Sequence, residues 1–183
     1  NITDASSFYR TEVVSPILSY EDIPKLQELV RTLRKAGAFA NKSCGIHIHV
    51  GAEQFTAKTL RNLVNIMASK EDMIYRALQI NPSRESRYCR KTNTAFLKDL
   101  NRKKPVTLDG IAELWYQEAP YGRNHHYNST RYHGLNLHAT FTKGTVEFRL
   151  FNGTLHAGEI KAYIQFCLAV AHQALTQKKA SAR

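Results

Sequence analysis

The chain has 183 residues, of which 43% are hydrophobic, so it can bury the core of one domain and is not intrinsically disordered. No apolar run is long enough to cross a bilayer, and no segment resembles a signal peptide. The formal net charge of +11 indicates an anionic partner, and three widely spaced cysteines favour a reducing cytoplasm over a disulfide-bonded fold.

The first half of the chain predicts two strands and two helices. We expect a strand over residues 11–18, then a helix that starts at Asp22 and ends before Gly37. Residues 44–51 alternate as a half-buried strand does. Cys44, Ile46, Ile48 and Val50 point to one side, and Gly45, His47, His49 and Gly51 point to the other. Residues 56–79 predict a long helix.

The second half predicts short helices, a hairpin and a last helix. Residues 84–120 indicate helices joined by basic loops, with a polar loop over 122–129. Strands 131–141 and 145–151 are expected to form a hairpin that pairs Thr140 with Glu147 and His138 with Arg149. A helix follows over 157–178. This order predicts an α+β fold, with a mainly antiparallel sheet backed on one face by helices.

The face of the sheet away from the helices collects the candidate functional residues. It is expected to carry His47, His49, Asn136, His138, Glu147 and Arg149, and Glu12 if its strand lies in the same sheet. Carboxylates and imidazoles together are ligands for a divalent cation. Arg149 would add the fixed positive charge that phosphoryl transfer requires. His-x-His alone is often polar filling and Glu-x-Arg alone is often a salt bridge, so the hypothesis depends on their combination.

Two other interpretations stay open at this point. The spacing of His47, His49 and Glu53 fits the metal strand of a cupin-like protein, although cupins are nearly all strand. The basic segment over residues 84–104 fits a nucleic-acid-binding module, but few aromatic residues interleave with its charges, and a nucleic-acid partner is not expected. A solvated basic surface that aids solubility explains the same charges.

Four segments, taken in order, resemble the amidoligase family of the carboxylate–amine ligase superfamily, which includes glutamine synthetase and glutamate–cysteine ligase. They are EVVSPIL at 12–18, CGIHIHVG at 44–51, RYHGLNL at 131–137 and TVEFRLFNGTL at 145–155. The resemblance covers nearly the whole chain, from Asp4 to the last helix. It implies one catalytic domain over residues 1–183 with a glutamine-synthetase-like fold.

The resemblance also implies a reaction and roles for residues. ATP would phosphorylate a carboxylate, and an amine would displace phosphate to give an amide. The carboxylate and the amine are not identified by the sequence, and a peptide, a cell-wall fragment and a small amino acid all fit. The matched positions imply Mg²⁺ ligands at Glu12, His49 and Glu147, catalytic roles for Glu147 and Arg149, nucleotide or phosphate contacts at Arg131, Asn136 and Arg149, and substrate contacts at His47, His138 and Arg87. Asp4 matches an acidic position of less defined role.

The chain departs from the family pattern at one point. Family members usually begin with a strand that bears a Glu-x-Glu pair and supplies further metal ligands. No such strand precedes Thr11 in this sequence. We therefore expect that the chain is truncated at its N-terminus.

Overall fold

Antiparallel strands and surrounding helices make up the fold in the computed structural model, which describes residues 11–182. The elements are α1 (Ile23–Lys35), β1 (Gly45–Gly51), α2 (Ala57–Ala77), α3 (Pro82–Arg87), α4 (Thr94–Lys103), α5 (Leu108–Trp115), β2 (Leu135–Asn136), α6 (His138–Lys143), β3 (Thr145–Asn152) and α7 (Ala157–Thr176). Short 3₁₀ turns lie at Tyr20–Asp22, Tyr116–Glu118 and Ser129–Arg131. The predicted α+β class and antiparallel sheet are confirmed.

Short polar side chains set where the helices begin. Thr56 accepts a hydrogen bond from the backbone N–H of Thr59, and this N-cap starts α2. Asn81 does the same for α3, where Pro82 occupies the first helical position. α2 ends at Ala77, two residues before Gln79 adopts a φ of +48°, and Asn81 and Pro82 then begin α3.

The three strands are ordered β1-β3-β2, so β3 is central and pairs antiparallel with both neighbours. His49 lies opposite Glu147 on one side of β3, and Asn136 lies opposite Glu147 on the other. A bulge interrupts the β1–β3 pairing, because Arg149 and Leu150 together face His47. Bulges of this kind bend a strand and redirect its side chains.

The core lies between the sheet and helices α2 and α7. Its largest fully buried side chains include Leu60, Leu63, Met67, Phe148, Leu150 and Phe151. The ring of Phe151 stacks on Tyr163 of α7 with centroids 4.3 Å apart. Each such leucine or phenylalanine contributes about 2 kcal/mol of hydrophobic stabilisation. The helices therefore cover one face of the sheet and leave the other face for polar residues.

The predicted strand over residues 11–18 is wrong. This segment has no regular secondary structure, and within residues 11–182 it pairs with none of the three strands. Its apolar side chains are exposed, with Val14 at 79% and Ile17 at 103% of full exposure. An extended segment becomes a strand only when another strand satisfies its backbone groups.

The predicted hairpin is also wrong in register. β2 has only two residues, and Asn136 rather than Thr140 lies opposite Glu147. Residues His138–Lys143 form the short helix α6 instead of a strand. The side-chain oxygen of Asn136 accepts a hydrogen bond from His138 N at 2.9 Å, which turns the chain, and Gly144 ends α6 with a φ of +67°.

The remaining boundaries lie close to the predicted ones. α1 ends two residues before Gly37, and α7 spans most of the predicted last helix. No helix within residues 11–182 combines the length and apolar character that a bilayer span requires. The α+β fold excludes the cupin-like interpretation, and Glu53 lies exposed beyond the end of β1.

Candidate functional site

The buried carboxylate of Glu147 is the centre of a polar cluster that opens to solvent at His47 and His49. Its Oε1 accepts a hydrogen bond from Arg149 Nη1 at 2.8 Å and lies 3.4 Å from His47 Nδ1 and 3.7 Å from His49 Nε2. Its Oε2 accepts a hydrogen bond from Asn136 Nδ2 at 2.6 Å. The sequence placed these five residues on one face of the sheet, and the structure brings all five into one cluster.

The sheet register explains why these side chains meet. His49, Glu147 and Asn136 form one row across the three strands, since each strand contributes the residue opposite its neighbour. Arg149 lies two residues beyond Glu147 and therefore projects to the same side. His47 lies opposite the bulge that contains Arg149, so the bulge is part of the cluster.

Both histidines are held in the neutral form. Burial and the Arg149 guanidinium lower the pKa of His47 to about 3. Burial also lowers the pKa of His49, whose Nδ1 lies 2.7 Å from Thr145 Oγ1. Neutral imidazole is the form that binds a metal ion or accepts a hydrogen bond.

The carboxyl group of Glu147 is held ionised. Burial alone would raise its pKa, but the Arg149 guanidinium and the hydrogen bond from the Asn136 amide lower it, and the net shift is downward. Arg149 is the permanent charge among these neighbours. The cluster therefore presents one carboxylate and two neutral imidazoles at neutral pH.

Arg149 is fixed by its surroundings as well as by Glu147. Its Nε donates to the backbone oxygen of Tyr88 at 3.4 Å, and its guanidinium lies 5.7 Å from the centre of the Tyr132 ring. The guanidinium of Arg131 also lies 5.7 Å from that ring. Tyr132 therefore contacts both guanidiniums and connects Arg131 to the cluster.

Three of the other predicted site residues lie elsewhere. Glu12 is in the exposed segment before α1, and Arg87 is exposed on α3. His138 is buried with its Nδ1 2.7 Å from the hydroxyl of Tyr116. Asp4 lies outside the described residues. Glu12 as a metal ligand and Arg87 as a substrate contact stay predictions.

Among the described residues the cluster offers Mg²⁺ one carboxylate beside two imidazoles, and oxygen is the ligand that Mg²⁺ prefers. Within residues 11–182, no group of three or more His, Cys, Asp or Glu side chains is arranged as a metal site. His49 and Glu147 face the same space, and one carboxylate oxygen is shared with Arg149. A cation bound here would need oxygens from its ligand to complete its coordination.

Three contributors to the site were missed from the sequence. Thr145 was detectable, because it lies two residues before Glu147 and so faces the same side. Tyr88 and Tyr132 act through a backbone oxygen and a ring face, and residue alternation along the strands does not indicate such contacts. Their roles depend on how α3 and the loop before β2 pack.

Comparison with known proteins gives one match. Residues 1–171 match the model of a family described as "Putative amidoligase enzyme". No curated protein and no solved structure matched the chain.

Proposed function

Because the chain belongs to the amidoligase family, we propose that it joins a carboxylate to an amine at the expense of ATP, with Mg²⁺ as cofactor. The observation that carries this proposal is the buried contact of 2.8 Å between Arg149 Nη1 and Glu147 Oε1, beside two neutral imidazoles. A permanent cation beside potential metal ligands suits a site that receives phosphate.

In the proposed reaction, a carboxylate oxygen attacks the γ-phosphorus of ATP and ADP leaves. The amine nitrogen then attacks the acyl carbon, phosphate leaves, and the nitrogen loses a proton. Arg149 is assigned to the oxygens of the moving phosphoryl group, because its fork can hold two of them. Arg131 is assigned to the nucleotide phosphates, since Tyr132 contacts both guanidiniums.

His49 and Glu147 are the proposed Mg²⁺ ligands, with Glu12 as a third. Bound there, the ion would supply positive charge that offsets the charge of the phosphate groups. Asn136 holds Glu147 in place through its 2.6 Å hydrogen bond. A pKa of about 3 makes His47 a weak proton acceptor, so we assign it to substrate contact rather than to general base catalysis.

A peptide, a cell-wall fragment and a small amino acid remain the substrate classes that we propose for the carboxylate. Three free cysteines and the use of ATP fit a cytoplasmic location, which we propose as well.

The test is a screen of carboxylates paired with amines for release of ADP and phosphate. Carboxylates labelled with ¹⁸O should transfer one label to the released phosphate, because the attacking oxygen leaves with phosphorus. Mass spectrometry of the amide product completes the test. Release of AMP and pyrophosphate, or unlabelled phosphate, would contradict the acyl-phosphate mechanism.

A further inference from the structure

A second arginine, Arg84 of α3, is buried next to the site, and the described residues give it no acidic partner. It is 2% exposed, and within residues 11–182 no carboxylate lies within ion-pair distance of its guanidinium. A buried charge without a counter-charge is costly. Burial lowers the pKa of Arg84, and the Arg149 guanidinium lowers it further. A purely stabilising role does not explain this arrangement.

The guanidinium of Arg84 instead contacts backbone oxygens of two strands. Nη1 donates to the oxygens of Ser43 at 3.0 Å and Cys44 at 2.9 Å, directly before β1. Nη2 lies 3.4 Å from the oxygen of Arg149, within the bulge of β3. One side chain therefore connects the start of β1 to the bulge that carries Arg149.

The start of β1 is shaped to receive this guanidinium. A Cβ added to Gly45 would lie 2.6 Å from Cζ of Arg84, closer than real side chains approach. Only glycine at this position lets the guanidinium lie against the strand. Gly45 thus leaves the space that the guanidinium of Arg84 fills.

The same short helix also holds the side chain of Arg149. Tyr88 follows α3 directly, and its backbone N–H donates to the backbone oxygen of Arg84 at 2.7 Å. The backbone oxygen of Tyr88 accepts a hydrogen bond from Arg149 Nε. Arg149 N donates to Gly134 O at 2.7 Å from the opposite direction. The end of α3 therefore contacts both the backbone and the guanidinium of Arg149.

We propose that Arg84 is a positioning residue that fixes the bulge of β3 and thereby aims the guanidinium of Arg149 at the ligand. The catalytic consequence rests on the proposed function, whereas the positioning itself does not. A misplacement of about 1 Å in a catalytic group can reduce the rate by about 100-fold. Loss of Arg84 should therefore act on turnover more than on substrate affinity.

The first measurement is the Nε–H resonance of Arg149 in ¹⁵N NMR spectra, assigned by its absence in Arg149→Lys. Arg84→Lys keeps the charge but cannot reach all three oxygens, and Arg84→Met removes the charge. Both variants should shift or broaden the resonance. Arg76→Met and Arg76→Lys are matched controls, because Arg76 is exposed at the end of α2. An unchanged resonance in a folded Arg84 variant overturns the proposal.

The second measurement is a cycle of rates with Arg84→Lys and Arg149→Lys, singly and combined. If Arg84 acts through Arg149, the double variant should be no slower than Arg149→Lys, while Arg84→Lys alone lowers kcat by about 10- to 100-fold with KM for ATP nearly constant. If the rate losses of the two single variants multiply in the double variant, the two arginines act independently and the proposal is overturned. If the parent forms no ADP with any substrate pair, the proposed function fails, and the NMR measurement still decides the positioning role.

Discussion

Arg149 donates a hydrogen bond of 2.8 Å to Glu147, and each residue is only 4% exposed. A buried pair of opposite charges is expensive to break, because the remaining charge has no partner. The same two residues therefore contribute to the stability of the fold and to the proposed chemistry.

We predict that Glu147→Gln lowers the free energy of unfolding by about 3 kcal/mol, since Arg149 then lies buried without a counter-charge. Adding Arg149→Met to this variant should recover a large part of the loss. Urea unfolding of the parent, both single variants and the double variant measures the coupling. Additive effects of the two substitutions would show that the ion pair contributes nothing as a pair.

Stability should fall as the pH drops below about 6.5, where unfolded histidines take up protons. The folded pKa of His47 is lowered to about 3, mainly by burial, so the unfolded state binds more protons between these two values. Burial also lowers the pKa of His133 and His138, which adds to the same trend. The melting temperature should be lower at pH 5.5 than at pH 7.5.

The matched variants for this prediction are His47→Gln and His172→Gln. His172 is exposed on α7, so its replacement should leave the pH dependence nearly unchanged, while His47→Gln should make it shallower. A melting temperature that rises on acidification to pH 5.5 contradicts the assignment of neutral histidines.

The cysteines should differ sharply in reactivity. Cys89 and Cys167 are fully buried, and burial raises the pKa of both thiols, whereas Cys44 is half-buried at the start of β1. A thiol-specific reagent at pH 8 should modify Cys44 first and the other two only on unfolding. Cys44→Ser should remove the fast phase. A fast phase that survives this substitution would show that a buried cysteine is accessible.

If His49 and Glu147 are the Mg²⁺ ligands that we propose, binding of ATP should depend on Mg²⁺, because phosphate oxygens would complete the coordination of the ion. Calorimetry with and without the metal measures this. Glu147→Gln should weaken the dependence, and Glu53→Gln is the control, since Glu53 is exposed beyond β1. Equal affinity for ATP with and without Mg²⁺ would argue against one site that binds ATP and the metal ion together.

The five residues around the Glu147 carboxylate were predictable from residue alternation alone, but alternation also placed His138 on that face, and it lies in α6 instead. The predicted hairpin register is four residues from the true one, but an even shift keeps every side chain on its face. Asn136 therefore faces the same side as Glu147 in both registers, and Leu135 faces the core with Phe148. The hydrogen bond from Asn136 to Glu147 was not predictable, because it requires the true pairing.

The contacts that hold Arg149 in position could not be predicted from the sequence. Arg84 is 65 residues from Arg149 in the chain, and it lies in a segment whose positive charge predicted only an anionic partner or a solvated basic surface. Its burial results from the packing of α3 against the start of β1 beside Gly45. The predicted strand over residues 11–18 was wrong for a related reason. Apolar content indicates a strand, but a sequence segment alone does not show whether another strand will pair with it.

The most direct test of the account is the rate of carboxylate-dependent ADP formation by Arg149→Lys. Lysine keeps the charge but loses the planar fork that holds two phosphoryl oxygens. With Arg76→Lys as control, we expect Arg149→Lys to retain the fold and most of its affinity for ATP, and to form ADP more slowly by about 10³-fold. If Arg149→Lys forms ADP at the rate of the parent, Arg149 does not stabilise a moving phosphoryl group, and the proposed chemistry is contradicted.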